Sequence, residues 1–188
     1  MYFTLADLVT DITQNACESG AEFVELEITE GGGEFRFLVR DNGKGMTWEE
    51  IKHAVDPFFT DGVKHPHRKV GLGLPFLIQT AEQSGGGWDL QSEKEKGTTA
   101  TAWFDMGNVD TPPLGDLPGM FRTILMFGGP RDVIIRRYRQ QTGEAQDDTS
   151  LDYEVRKLEL EEALGGLEDT GSLVLLDQYL RSLEESEE

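Results

Sequence analysis

Two runs that alternate with period two, Phe23-Val24-Glu25-Leu26-Glu27-Ile28 and Glu34 to Asp41, stand on either side of Gly31-Gly32-Gly33. Period-two patterning sends successive side chains to opposite faces, so each run has one apolar face and one largely polar face. Glycines between them supply the positive-φ positions of a tight turn, and the runs pair as an antiparallel hairpin. A hairpin with one apolar face is not stable alone in water; another element must cover it. The preceding segment provides that cover. Leu5, Leu8, Val9, Ile12 and Ala16 recur at three- and four-residue steps, the buried stripe of a helix from Leu5 to about Ser19 that Ser19-Gly20-Ala21 stops.

Beyond the hairpin, Thr47-Trp48-Glu49-Glu50 has the capping-box form that opens a helix running to about Val55. Pro57 to Gly71 mixes Gly, Pro, His and Lys without a period and is long for a passive connection, which makes it a candidate mobile lid. A helix follows from Leu74 to about Gln83, with Pro75 in its first turn and Gly85-Gly86-Gly87 at its end. Strands are expected at Trp88 to Ser92 and Thr98 to Phe104. This order predicts an α+β, two-layer α/β sandwich with a mostly antiparallel sheet over residues 1–105.

Residues 106–188 read as a C-terminal β-hairpin and helix extension. Pro112-Pro113-Leu114-Gly115 and Leu117-Pro118-Gly119 form a linker, and apolar runs Phe121 to Phe127 and Val133 to Tyr138 flank Gly128-Gly129-Pro130 as a second hairpin. A strand-like Tyr153 to Leu160 and a short helix from Leu173 to Leu183 precede an acidic tail. Arg131, Arg136, Arg137 and Arg139 read either as a docking patch for an acidic partner or as exposed strand charges that discourage edge pairing.

Charge narrows the choice of partner. With 17 basic and 36 acidic residues the net charge is −19, which disfavours nucleic-acid backbones and anionic membranes. The single cysteine, Cys17, cannot close an internal disulfide, and a cytoplasmic location is expected. His53, His65 and His67 lack zinc-site spacing and read as surface or lid residues.

Three polar clusters carry chemical potential. Asp11, Asn15 and Glu18, at i, i+4 and i+7, share a helix face apart from the apolar stripe. Taken alone, such a face reads first as solvated surface and second as a site wall; in the second case an amide oxygen suits a hard cation and a carboxylate can position or deprotonate water. In Asp41-Asn42-Gly43-Lys44-Gly45-Met46, Asp41 continues the core-facing alternation of Phe35, Phe37 and Val39, so its carboxylate must find a donor. That donor is either the exocyclic amine of a purine, with Gly43 and Gly45 leaving room for a flat ring, or the local backbone of an Asx turn. Lys69-Val70-Gly71-Leu72-Gly73-Leu74 opens a helix whose exposed N–H groups suit phosphate. Lys64 and Lys69 are the nearest basic side chains to meet terminal phosphates, or serve solubility alone.

In this order the clusters resemble the GHKL superfamily of ATP-binding domains, which includes DNA gyrase B subunits, sensor histidine kinases and mismatch-repair MutL. The resemblance covers about residues 1–105. It implies ATP and Mg2+ as cofactors, with Asn15 as the magnesium ligand and Asp41 as the reader of the adenine amine. It further implies Gly71, Gly73 and Leu74 at the phosphates, and Thr98 of Gly97-Thr98-Thr99 supporting the adenine through water. Where the topoisomerase and MutL branches carry a catalytic glutamate, this chain has Asp11, one methylene shorter. No segment resembling a phosphoacceptor-histidine helix precedes the first helix, so a stand-alone domain is expected. Three functions stay open: a switch or slow ATPase, a protein kinase of the anti-sigma-factor type, and a nucleotide sensor without turnover. A protein partner, met through the lid or the C-terminal extension, and a homodimer are expected assemblies.

Overall fold

The computed structural model describes residues 4–56, 73–140 and 149–185. In chain order the elements are α1 (Leu5–Cys17), β1 (Phe23–Gly31), β2 (Glu34–Asp41), α2 (Trp48–Val55), α3 (Gly73–Gln83), β3 (Gly87–Glu93) and β4 (Gly97–Asp105). Then come α4 (Leu117–Leu125), β5 (Asp132–Gln140), β6 (Thr149–Arg156), α5 (Lys157–Leu164) and α6 (Thr170–Glu184). The six strands form one sheet in the order β3-β4-β2-β1-β5-β6, antiparallel throughout except for the parallel β1–β5 pair. The result is the α+β sandwich that the sequence pattern implies.

The expected alternation holds on the sheet. Val24, Leu26 and Ile28 of β1, Phe35, Phe37 and Val39 of β2, and Ala100, Ala102 and Phe104 of β4 are buried together against Leu5, Leu8, Val9 and Ile12 of α1. Thr4 caps α1 through a capping box with Asp7. The next two N–H groups, of Leu5 and Ala6, donate to the carbonyls of Pro113 and Leu114, each at 2.9 Å. The linker after β4 thus meets the orphan donors at the start of α1.

Residues 117–125 depart from the sequence expectation. Phe121 to Phe127 is not a strand: most of it lies in α4, and Gly128-Gly129-Pro130 connects that helix to β5. Asp116 caps the helix by accepting from Gly119 N, and Leu117, Met120, Phe121, Ile124 and Leu125 are its buried residues. Their i, i+3, i+4, i+7, i+8 spacing is a helical stripe, which Pro118 tolerates because it stands in the first turn. The C-terminal hairpin is instead β5–β6, and Tyr153 to Leu160 divides between the end of β6 and the start of α5.

Of the four arginines, Arg137 and Arg139 are engaged between β5 and α6 rather than offered for docking, Arg136 is ion-paired on the other face of the sheet, and Arg131 is exposed before β5. Arg137 is 2% exposed and paired with Glu30 and Glu184. Tyr153 also donates its hydroxyl to Glu184, and burial followed by that carboxylate pushes the phenol well above its ordinary value. Arg139 pairs with Asp152 at 2.7 Å and donates to the Leu183 carbonyl at the end of α6 at 3.1 Å, where a cation also meets the negative end of the helix dipole. On the other face, Arg136 bridges Glu25 (3.3 Å), Glu27 (3.5 Å) and Glu154 (2.7 Å). Among the described residues no helix is long and apolar enough to cross a membrane.

Candidate functional site

Asp41 ends β2 on the core face and is buried, with 8% of its surface exposed. Its Oδ1 accepts from Gly43 N at 2.8 Å and from Ser19 Oγ at 3.1 Å. Burial raises its pKa above the ordinary value, opposed by these two donors and by the Thr98 backbone N–H. The balance is a carboxylate held in a poorly solvated place by hydrogen bonds, the state in which an added donor is worth most.

The turn after Asp41 is clamped from both sides. Asn42 Oδ1 accepts from the N–H groups of Glu22 and Phe23, each at 2.9 Å. Lys44 N donates to the Ser19 carbonyl (3.2 Å), and Glu95 N to the Lys44 carbonyl (2.8 Å). A Cβ on Gly43 would stand 2.0 Å from Ser19 Oγ, so a side chain there would displace the very hydroxyl that holds Asp41. Gly45 has φ +57°, and a Cβ there would meet the Glu93 carbonyl at 1.9 Å.

Thr98 sits opposite Asp41 in the β2–β4 register. Its Oγ1 lies 2.8 Å from Ser92 Oγ, which also accepts from Met46 N at 2.9 Å and donates to the Gly97 carbonyl at 3.1 Å. With its one proton given to Gly97, Ser92 takes a hydrogen bond from Thr98 and so fixes the orientation of the threonine hydroxyl.

The polar face of α1 meets the start of α3. A Cβ on Gly73 would stand 2.5 Å from Asp11 Oδ2 and 3.3 Å from Asn15 Nδ2. Gly73 is buried and Leu74 packs against the core, while Asn15 is exposed and Asp11 partly so. Asp11, Asn15, Gly73 and Leu74 thus gather at one place, and Asp41, Gly43, Gly45 and Thr98 at another; Ser19, just beyond the end of α1, binds Asp41 and links the two. Glu18, the third residue of the helical cluster, takes a hydrogen bond from Gln14 at 2.8 Å. Lys64, Lys69 and Gly71, with His65 and His67, lie outside the described residues; His53 is on α2.

A cavity of about 450 Å³ is lined by Asp41, Asn42, Ser92, Gly97 and Thr98 together with Phe23, Glu25, Arg40, Gln91, Glu93, Lys96 and Thr99. Phe23, Glu25, Arg40, Gln91, Glu93 and Thr99 alternate with the core positions and belong to the outer face of the sheet. Its cations are already paired, Arg40 with Glu25 and Lys96 with Glu93.

Sequence reasoning missed Ser19 and Ser92. Ser92 had a signal, since it occupies the core-facing register after Trp88 and Leu90. Ser19 had none beyond its place as a helix stop.

Residues 3–108, more than half of the chain, match the family described as "Histidine kinase-, DNA gyrase B-, and HSP90-like ATPase". The chain belongs to this family, the GHKL ATPases, and that membership implies nucleotide binding. Similar proteins come from two of its branches. The mismatch-repair protein MutL of Thermus aquaticus is 37% identical over 71 residues, 38% of this chain and 13% of MutL. The sensor histidine kinase ZraS of Escherichia coli K12 is 26% identical over 113 residues, 59% of this chain and 23% of the kinase. The histidine-protein kinase AfsQ2 of Streptomyces coelicolor is 26% identical over 95 residues, 50% of this chain and 18% of AfsQ2. The matched part is less than a quarter of each of these relatives.

Proposed function

We propose that the chain binds ATP with magnesium beside α1, the Asp41–Met46 turn and the start of α3, and that the bound state acts as a switch or a slow ATPase cycle. What carries this reading is the approach of Gly73 to Asp11 and Asn15, which sets the first N–H groups of α3 beside an amide and a carboxylate. Asp41 Oδ1 accepts from Ser19 and Gly43, and in this reading Oδ2 accepts the exocyclic amine of adenine. Gly43 and Gly45 keep the turn flat against its neighbours, and Thr98, oriented by Ser92, offers a hydroxyl for a bridging water. Residues 57–71, with Lys64, Lys69 and Gly71, serve as the lid at the phosphates in this reading.

The donor set fits magnesium delivered with the triphosphate. Among the described residues there is no group of three His, Cys, Asp or Glu able to hold a metal, and Mg2+ is ordinarily bound by one or two protein oxygens plus substrate phosphates. Asn15 Oδ1 is such a ligand. Bound there, the ion would neutralise charge on the phosphates. Asp11, one turn earlier on the same face, would orient or deprotonate the attacking group. Residues 106–188 would adapt the nucleotide state to a protein partner, since α4 packs on α1 and α6 packs on α4.

A second reading is a protein kinase in which Asp11 helps deprotonate a hydroxyl brought by a partner, and the shorter Asp11 favours a third, a nucleotide sensor without turnover. All three are tested in one tube: pure protein, magnesium and ATP labelled on its terminal phosphate, with Asn15→Ala as control. Free phosphate that depends on Asn15 identifies an ATPase, and label on protein identifies a kinase. Neither, with ATP retained, leaves a sensor or a kinase awaiting its partner. Calorimetric ATP affinity that is the same in Asp41→Asn and the parent protein overturns the adenine site.

A further inference from the structure

Helix α6 turns an apolar face to solvent, bordered by the ion-paired Arg181. Val174, Leu175 and Tyr179 are 51%, 55% and 44% exposed, and Gln178 and Ser182 continue the same face at helical spacing. The charges in the middle of the helix are engaged with α4 and the residue before it. Arg122 meets Asp177 at 3.0 Å, and Arg181 meets Asp177 at 2.8 Å and Asp116 at 3.5 Å. A surface helix of a highly charged chain ordinarily gives its outward face to charged residues, so three half-exposed large apolar side chains on adjoining turns mark a surface that is covered in use.

Charge selects the occupant. Both ends of the face are acidic: Glu168 and Asp169 precede α6, and Glu185 follows it. Over residues 157–188 the sequence has ten acidic side chains against two basic. A second copy of the chain would bring these acids together, and an anionic membrane would be repelled for the same reason. A basic segment gains at both ends of the face. The 15 residues of α6 span about 22 Å, which matches a partner helix of about four turns.

We propose that the Val174, Leu175 and Tyr179 face of α6 is the docking surface for a basic amphipathic helix of a partner protein. Its apolar stripe covers these three side chains, and its Lys and Arg residues meet the acids at both ends. The surface lies on α6 alone, so occupancy does not depend on the nucleotide reading.

The test uses the whole chain without nucleotide and a fluorescent helical peptide of about 15 residues, with a Leu stripe and Lys/Arg at both ends. Its controls are the same peptide with Glu at the ends and one with the stripe scrambled. Saturable binding is expected for the basic peptide only, weakening as salt rises. Leu175→Ser/Tyr179→Ser is expected to lower affinity by about tenfold or more, because the centre of such a contact carries most of its energy. Leu151→Ser, at a side chain 50% exposed on β6, is expected to leave it unchanged. Both variants alter exposed residues, and matching urea midpoints would show that the fold is retained. Equal binding by the double variant overturns the proposal, as does failure of the basic peptide to saturate. Dimerisation in sedimentation that the double variant abolishes also overturns it, in favour of a second copy as occupant.

Discussion

Ser19→Ala should destabilise the protein in a way that depends on the charge of Asp41. The hydroxyl has one proton and two acceptors, the Ala16 carbonyl at 2.7 Å and Asp41 Oδ1 at 3.1 Å. Losing a hydrogen bond to a neutral carbonyl costs about 1 kcal/mol and one to a charged group about 1.5–3 kcal/mol, so the shared proton is worth about 1–2 kcal/mol. Burial holds the pKa of Asp41 above its ordinary 3.8, while Ser19 pulls it down by favouring the ionised form. A raised carboxylate pKa means that the native state binds more protons than the unfolded chain in that window, so this group's contribution falls as pH rises through it. Without Ser19 the pKa moves further up. The cost of the substitution is therefore greatest above the titration of Asp41 and shrinks as pH falls through it. Urea unfolding across a pH series measures this, and a double-mutant cycle with Asp41→Asn should return a coupling of about 1 kcal/mol. A cost that is flat with pH, with coupling within about 0.5 kcal/mol of zero, would refute the argument and leave Ser19 as a helix stop alone.

Gly73→Ala should separate stability from binding: its Cβ meets the ends of the Asp11 and Asn15 side chains, which can swing away. A stability loss of about 1 kcal/mol or less is expected in urea, with calorimetric ATP affinity down by about tenfold or more. Arg137→Met leaves Glu184 and Glu30 without their buried cation and should cost about 3 kcal/mol, read as a fall in urea midpoint at unchanged slope. The Cys17 thiol, pushed up to about 11 by burial, should resist alkylation at pH 8 in the native protein and react promptly in urea.

The first half of the fold was legible because its apolar positions repeat with the period of the elements that bury them. Asp41 stood out for the complementary reason, as a charge in a core-facing register. α4 was misread although its stripe is regular: Leu117 and Met120 stand beside Pro118 and Gly119, and turn chemistry outweighed periodicity. Arg137 was illegible from local pattern because a strand's alternation names two faces without saying which one a later helix will cover, and α6 begins 33 residues further on. Ser19 acquires its role only when α1 and β2 meet, which no spacing in the sequence records.

The same meeting place joins the two halves of the chain. The Glu22 carbonyl accepts from the N–H groups of Arg131 (2.8 Å) and Asp132 (3.1 Å), where β5 enters the sheet. Its own N–H donates to Asn42 Oδ1 at 2.9 Å, one residue from Asp41. Hydrogen bonds at the carbonyl and the N–H of one residue, Glu22, thus connect the start of β5 to the turn that holds the buried carboxylate. A shift of β5 along β1 would have to break the first or drag the second, and packed elements of this kind change arrangement in steps rather than yield smoothly. If occupancy of the C-terminal half alters the site, Asn42→Ala should weaken that coupling by cutting the second bond. Substitutions at Leu90, which packs on the core from the far side of the sheet in β3, should leave it intact.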